Sequence, residues 1–136
     1  MTNEIVASNS ADFNSGMFCS IHAETQADRL DIYEAVSNSA PLDDMVGKVI
    51  SVQDVIIQPV EMNDPASGEV QTRNRIVMIT PDGEAYGCVS SGVETSMRNL
   101  FAIVGVPPWN PAISLDVVKK QGRNGYKFTS LQAHRG

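Results

Sequence analysis

Apolar and polar residues alternate with a period of two over five segments in the second two thirds of the chain. This alternation is typical of β-strands with one buried face. The first segment is long, and its alternation slips near Asp54, which predicts a bulge that lets a long strand curl. Pro81-Asp82-Gly83 and Asn124-Gly125 are tight-turn signals between segments. The predicted strands cover residues 46–62, 70–80, 84–90, 113–120 and 126–131.

One amphipathic helix is predicted between the third and fourth strands. Ser91 followed by Glu94 has the spacing of a capping box, which marks a helix start. Gly105 and the Pro107-Pro108 pair then predict its end. The apolar stripe of this helix comprises Val93, Met97, Leu100, Phe101 and Val104.

The N-terminal part of the chain, residues 1–41, reads as an acidic extension that precedes a main domain over residues 42–136. Residues 1–16 are rich in Asn and Ser, and we expect them to be flexible. A short strand is predicted over residues 17–22. A helix is predicted over residues 25–36, with Thr25 and Asp28 as its capping pair.

The order of elements in residues 42–136 predicts a mainly β fold. Three strands, one helix and a closing two-strand hairpin follow one another, which is the order of the OB-fold. In that five-stranded Greek-key barrel, ligands bind on strands two and three and on the loops joining strands one to two and four to five. A different five-stranded barrel, or a half-open sheet with one helix, shares the same order.

The acidic residues are concentrated in the N-terminal part of the chain and the basic residues in the C-terminal part. The net charge is −6, and hydrophobic residues make up 42% of the 136 residues. Residues 1–45 hold eight acidic residues and one basic residue, whereas residues 112–136 hold one acidic and five basic residues. Because local potential steers a polyanion, this basic end is compatible with a nucleic-acid partner. No apolar run approaches a membrane span and no signal-peptide pattern is present, so we expect a cytoplasmic protein.

Residues 45–132 resemble the single-stranded DNA-binding proteins of phages and conjugative plasmids of Gram-positive bacteria. The resemblance lies in the Val-Ile-rich first strand, the Thr72-Arg73-Asn74-Arg75 entry to strand two, the Pro81-Asp82-Gly83 turn, the Ser91-Gly92 helix start and the Gly122 to Phe128 hairpin. It implies sequence-tolerant binding and protection of single-stranded DNA during replication or transfer. The ending Ala133-His134-Arg135-Gly136 and the acidic N-terminal extension differ from the bacterial housekeeping relatives, which end in an acidic, Pro-rich tail.

Single strands are bound by cations that contact phosphates and by flat side chains that stack on bases. Arg73 and Arg75 stand two apart in strand two, so they are predicted to share a face about 7 Å apart. The second predicted cluster surrounds the last hairpin and contains Lys119, Lys120, Arg123 and Lys127.

Aromatic candidates divide by their expected position. Tyr126 and Phe128 share a face of strand five, and we expect Phe128 in the core and Tyr126 near the loop, available to a base. Tyr86 is predicted either to stack on a base or to pack in the core. Trp109 has the same two interpretations: in its rigid Pro-rich loop it could stack on a base, but a tryptophan more often caps the end of a barrel core, which is the favoured interpretation.

Catalysis and cofactors are not expected. The chain has no Walker-type or Rossmann glycine pattern and no nucleophile elbow, so we expect neither an enzyme nor a small-molecule substrate. Cys19 and His22 are one close pair of potential metal ligands with Cys88 and His134 elsewhere, and zinc sites usually have two close pairs. An RNA-binding barrel and a protein-interaction or virion component remain alternative functions. Residues 1–40 are predicted to mediate self-association along the strand.

Overall fold

The computed structural model describes residues 17–135, which form a mainly β fold with two helices and two sheets. The segment expected to be flexible, residues 1–16, lies outside the described residues. The helices are α1 (Gln26–Ser37) and α2 (Ser91–Ile103), with short 3-10 turns at Leu42–Met45 and Arg123–Gly125. The strands are β1 (Phe18–Cys19), β2 (Ala40–Pro41), β3 (Val49–Val52), β4 (Asp54–Asn63), β5 (Val70–Ile79), β6 (Ala85–Cys88), β7 (Ile113–Gln121) and β8 (Lys127–Ala133).

The predicted long first strand is interrupted at Gln53 and contributes to both sheets. Its first part, β3, begins a three-stranded sheet of order β3-β7-β8, and its second part, β4, lies in a five-stranded sheet of order β1-β4-β5-β6-β2. The backbone of Gln53 bonds elsewhere, its N–H to the Ile79 carbonyl and its carbonyl to the Trp109 N–H. The slip predicted near Asp54 is therefore the point at which the chain passes from one sheet to the other.

The expected closed barrel is not formed by strand pairing. Within residues 17–135, no ladder joins β6 to β8, so the two sheets stay open toward each other on that side. The order of three strands, one helix and a hairpin is nevertheless present from β3 to β8.

Alternation of side chains along β5 divides the buried residues into two clusters. Ile76 and Met78 face a core shared with the three-stranded sheet and α2, whereas Val77 and Ile79 face the opposite side. The main core also contains Leu42, Ile50, Val52, Val55, Val93, Met97, Trp109, Leu115, Val117 and Leu131.

Residues of the predicted N-terminal extension cover the second side of the five-stranded sheet. Met17, Cys19 and Ile32 are buried there against Val77 and Ile79. β1 and β2 occupy the two edges of the same sheet. The described part of residues 1–41 is thus packed against the five-stranded sheet.

Helix α2 begins one residue from the predicted cap. The N-cap is Ser90, whose Oγ accepts a hydrogen bond from the Val93 N–H at 3.3 Å. Ser91 is the first helical residue, so the predicted Ser91–Glu94 capping box is wrong. The next residue, Gly92, allows close packing on β8, because a Cβ there would lie 2.5 Å from the Thr129 carbonyl oxygen.

The two cysteines lie on opposite sides of the five-stranded sheet. Cys19 belongs to the cluster under α1, and Cys88 packs against the main core. Burial raises the pKa of Cys19 to about 11 and that of Cys88 to about 12. Across residues 17–135, no three His, Cys, Asp or Glu side chains are grouped as metal ligands. No helix in the same range is long and apolar enough to cross a membrane.

Candidate nucleic-acid interface

The hairpin of β7 and β8 presents an aromatic pair and a lysine on one face. Lys120 lies directly opposite Phe128 in the antiparallel register, so their side chains point to the same side. Tyr126, two residues before Phe128, stacks on it with ring centroids 6.4 Å apart and an interplanar angle of 20°. Tyr126 is 70% exposed, whereas Phe128 is half-buried. Tyr126 is exposed near the loop, as predicted, whereas Phe128, which was predicted in the core, belongs to neither of the two buried clusters and lies on the hairpin face of Lys120.

The turn at the end of this hairpin carries a further cation. Arg123 is exposed and begins the 3-10 turn that connects β7 to β8. Gly125 has a positive φ of 73°, a conformation that glycine adopts at little cost. Gly122 lies close to Phe128, where a Cβ would be 3.4 Å from its ring. We call Lys120, Arg123, Tyr126 and Phe128 the tip patch.

The other two hairpin lysines lie on the opposite face of the hairpin. Lys119 is opposite Thr129 in the register, and its Nζ donates to Thr129 Oγ1 at 2.9 Å. It also lies 3.6 Å from Asp43 Oδ1. Lys127 is exposed and lies opposite Gln121. The four cations predicted as one cluster are thus divided between two faces and the turn.

Arg73 and Arg75 lie on a two-stranded ribbon. They pair with Val60 and Gln58 of β4, whereas the register of β6 reaches only residues 76–79 of β5. By alternation both arginines share the face of Val77, as predicted. Arg73 is exposed and Arg75 is half-buried. We call these two residues the arginine patch.

The first turns of α2 lie between the ribbon and the hairpin of β7 and β8. Glu94 accepts hydrogen bonds from Asn74 of β5 at 2.9 Å and from Arg98 at 2.7 Å. These bonds, the one from Arg98 foremost, lower the pKa of Glu94, and the charge of Arg73 acts in the same direction. Gly92 of the same helix packs against Phe128. The residues predicted to line a single groove therefore form two cationic patches on different sheets, and α2 contacts the ribbon on the face of Asn74, opposite the face of Arg73 and Arg75.

Arg98 was not predicted as a candidate. It is exposed and forms an i,i+4 ion pair with Glu94, a spacing that is visible in the sequence. The bond of Glu94 to Asn74 depends on how α2 packs on β5, which sequence spacing does not report. Arg98 and Asn74 are therefore linked through Glu94 on the α2 side of the ribbon.

Tyr86 and Trp109 do not lie with the arginine patch or the tip patch. Tyr86 alternates onto the core side of β6, and its hydroxyl donates to Glu84 at 3.0 Å, which raises the pKa of Tyr86. Trp109 is 6% exposed, and its indole N–H donates to the Gly105 carbonyl at 3.0 Å. Its ring meets Phe101 edge-on, with centroids 6.1 Å apart. Trp109 thus packs in the core, the favoured of its two interpretations, and offers no open ring face to a base.

Comparison with known proteins identifies the family. No curated protein and no solved structure matches the chain. A family model described as phage single-stranded DNA-binding protein matches residues 12–134, which include all of α1, α2 and β1 to β8. The chain therefore belongs to the phage single-stranded DNA-binding protein family.

Proposed function

We propose that this protein coats single-stranded DNA with little sequence preference during phage DNA replication, in the host cytoplasm, and catalyses no reaction. Family membership supports single-stranded DNA as the partner. The observation that carries the proposed site is the tip patch. There an exposed tyrosine ring is backed by Phe128, and Lys120 lies on the same face.

In the proposed complex, a base stacks on Tyr126. Stacking tolerates any sequence, because every base has a π-face, and it is worth about 1–3 kcal/mol per base. Lys120 and Arg123 contact the phosphates that flank this base. Lys127 lies on the other face of the hairpin and contacts the strand where it passes around the tip.

The arginine patch extends the proposed path. Arg73 and Arg75 are planar cations that can pair with phosphates or stack on bases. Arg98 is exposed on α2, so it is a further cation that the strand can contact. Tyr86 and Trp109 are left out of the proposed interface, because the ring of the first packs against the main core and the ring of the second is buried.

We also propose that the two sheets are the two halves of an OB-fold barrel. The split strand β3–β4 then corresponds to strand one, β5 and β6 to strands two and three, and β7 and β8 to strands four and five. In this assignment the tip patch lies at the loop between strands four and five, and the arginine patch lies on strand two. These are regions that bind ligands in OB-folds. Residues 17–37 cover the outer face around Val77 and leave the ribbon and the tip open.

Self-association along the strand remains part of the proposal. Self-association was predicted to involve residues 1–40, but Met17, Cys19 and Ile32 of this segment are buried against the sheet of their own chain. Deleting residues 1–40 would therefore expose the core and confound the result. Deleting residues 1–16 is the better test, and it should lower cooperativity while single-site affinity stays near that of the full chain. Unchanged cooperativity would assign self-association to another surface.

Titration with oligo-dT, oligo-rU and duplex DNA at two salt concentrations tests the proposed function. We expect tight, salt-sensitive binding to oligo-dT and weak binding to duplex DNA. Equal or tighter binding to oligo-rU would indicate an RNA-binding protein instead. Binding to none of the three would favour a protein-interaction or virion role.

A further inference from the structure

We propose that Asp43 is a positioning residue that holds Lys119 away from the bound strand and so limits the affinity of the interface. This inference rests on the proposed function. It concerns a contact between the 3-10 turn at Leu42–Met45 and the hairpin of β7 and β8. Asp43 and Thr129 are 86 residues apart in the sequence.

The three side chains form a continuous chain of contacts. Thr129 is 4% exposed, and its hydroxyl donates to Asp43 Oδ1 at 2.7 Å. Thr129 Oγ1 also accepts from Lys119 Nζ at 2.9 Å, and this Nζ lies 3.6 Å from Asp43 Oδ1. The hydroxyl thus uses its one proton toward Asp43 and a lone pair toward Lys119, which orients the ammonium group toward Asp43.

The backbone beside Asp43 is anchored by the core. The preceding residue, Leu42, is fully buried in the main cluster. The backbone of Asp43 is therefore fixed beside the core, and its side chain, which is 63% exposed, is oriented by the bond from the Thr129 hydroxyl.

Lys119 differs from the other hairpin cations in forming an ion pair. Over the described residues 17–135, it is the one member of the set Lys119, Lys120, Arg123 and Lys127 that forms an ion pair. A phosphate that approaches Lys119 must compete with the carboxylate and is also repelled by it. The side chain of Lys119 is 43% exposed, so water screens the pair and a phosphate can displace the carboxylate in part.

The first test replaces the carboxylate and keeps its hydrogen-bond acceptor. Asp43→Asn retains an oxygen for the Thr129 hydroxyl while removing the charge. Exposed ion pairs are weak, so we expect oligo-dT to bind about two- to fivefold more tightly to this variant. The slope of log K against log salt should become steeper by about 0.7, the value for one more phosphate contact on a single strand. Asp44→Asn is the matched control, because it removes the same charge one residue away.

The decisive comparison is a double-mutant cycle with Lys119→Met. We expect Lys119→Met to cost little affinity in the wild-type background and more in the Asp43→Asn background. Lys120→Met should cost the same in both backgrounds, because Lys120 lies on the other face. In the wild-type background, Lys119→Met should also cost less than Lys120→Met, a comparison that does not depend on the Asp43 variant folding.

Each outcome separates this inference from the proposed function. Equal losses for Lys119→Met in the two backgrounds would overturn the positioning role, and so would a gain in Asp44→Asn as large as that in Asp43→Asn. Absence of oligo-dT binding by the wild-type chain would overturn the proposed function instead.

Discussion

Replacing Tyr126 by alanine should remove most of the stacking energy of the interface while leaving the fold intact. The ring is 70% exposed, and Phe128 is the aromatic ring stacked on it. Loss of one stacked base costs about 1–3 kcal/mol. At about 1.4 kcal/mol per tenfold change, this predicts a dissociation constant for oligo-dT roughly 5- to 150-fold higher.

The same substitution should have a small effect on stability. An aromatic pair contributes about 0.5–1.5 kcal/mol beyond its buried area, and most of the Tyr126 ring is in water. We therefore expect the free energy of unfolding to fall by no more than about 1 kcal/mol, the range of an exposed aromatic contact. Fluorescence anisotropy with labelled oligo-dT and chemical unfolding of the same samples measure the two quantities.

Two matched variants make this prediction specific. Tyr126→Phe keeps the ring and should bind almost as tightly as the wild-type chain. Tyr33→Ala removes another exposed tyrosine, 63% exposed on α1, and should leave binding unchanged. Wild-type affinity in Tyr126→Ala, or an equal loss in Tyr33→Ala, would refute stacking at the tip patch.

Three further predictions concern salt, packing and pH. Lys120→Met should make the slope of log K against log salt shallower by about 0.7, and an unchanged slope would exclude a phosphate contact by Lys120. Gly92→Ala should destabilise the fold by about 1–3 kcal/mol through overpacking, even though alanine has the higher helix propensity. The control is Asn99→Ala on the exposed face of α2, and equal unfolding midpoints for the two variants would contradict the close contact of Gly92 with β8. Burial raises the thiol pKa from 9.0 to about 11 for Cys19 and to about 12 for Cys88. The stability contributed by the two protonated thiols should therefore be fully present below pH 9 and be lost as the pH rises through 11 and 12. Urea unfolding under reducing conditions measures the free energy of unfolding across this pH range, and Cys19→Ala should show a smaller decline than the wild-type chain. A free energy of unfolding that does not decline would contradict the burial of the thiols.

Most strands could be predicted because period-two alternation reports directly which face is buried. The strand that was not predicted is β2, which has two residues and is too short to carry a periodic signal. β1 lies within the strand predicted over residues 17–22 but is also only two residues long. These two strands form the edges of the five-stranded sheet, which no local pattern reports. The helix start was misplaced by one residue, because Ser90 and Ser91 are both good cap residues and only the geometry distinguishes them.

The candidate site was predictable within one hairpin but not between elements. The shared face of Tyr126 and Phe128 follows from their spacing of two residues along one strand. Trp109 could be buried because its indole N–H bonds to the Gly105 carbonyl. That partner is known only from the folded structure, so the sequence left both interpretations open. The pairing of Lys119 with Asp43 and of Asn74 with Glu94 joins distant segments, so no local pattern reports it.

The covering of the five-stranded sheet by residues 17–37 has a consequence for the amount of protein that a phage must make. Met17, Cys19 and Ile32 occupy the outer face of the sheet, so the proposed binding path runs only along the ribbon and the hairpin. On that path one copy would cover few nucleotides, toward the lower end of the roughly 4–16 bound by one OB domain. Under the proposed function, coating a strand then becomes a matter of supply, with copies needed in proportion to the length left unpaired.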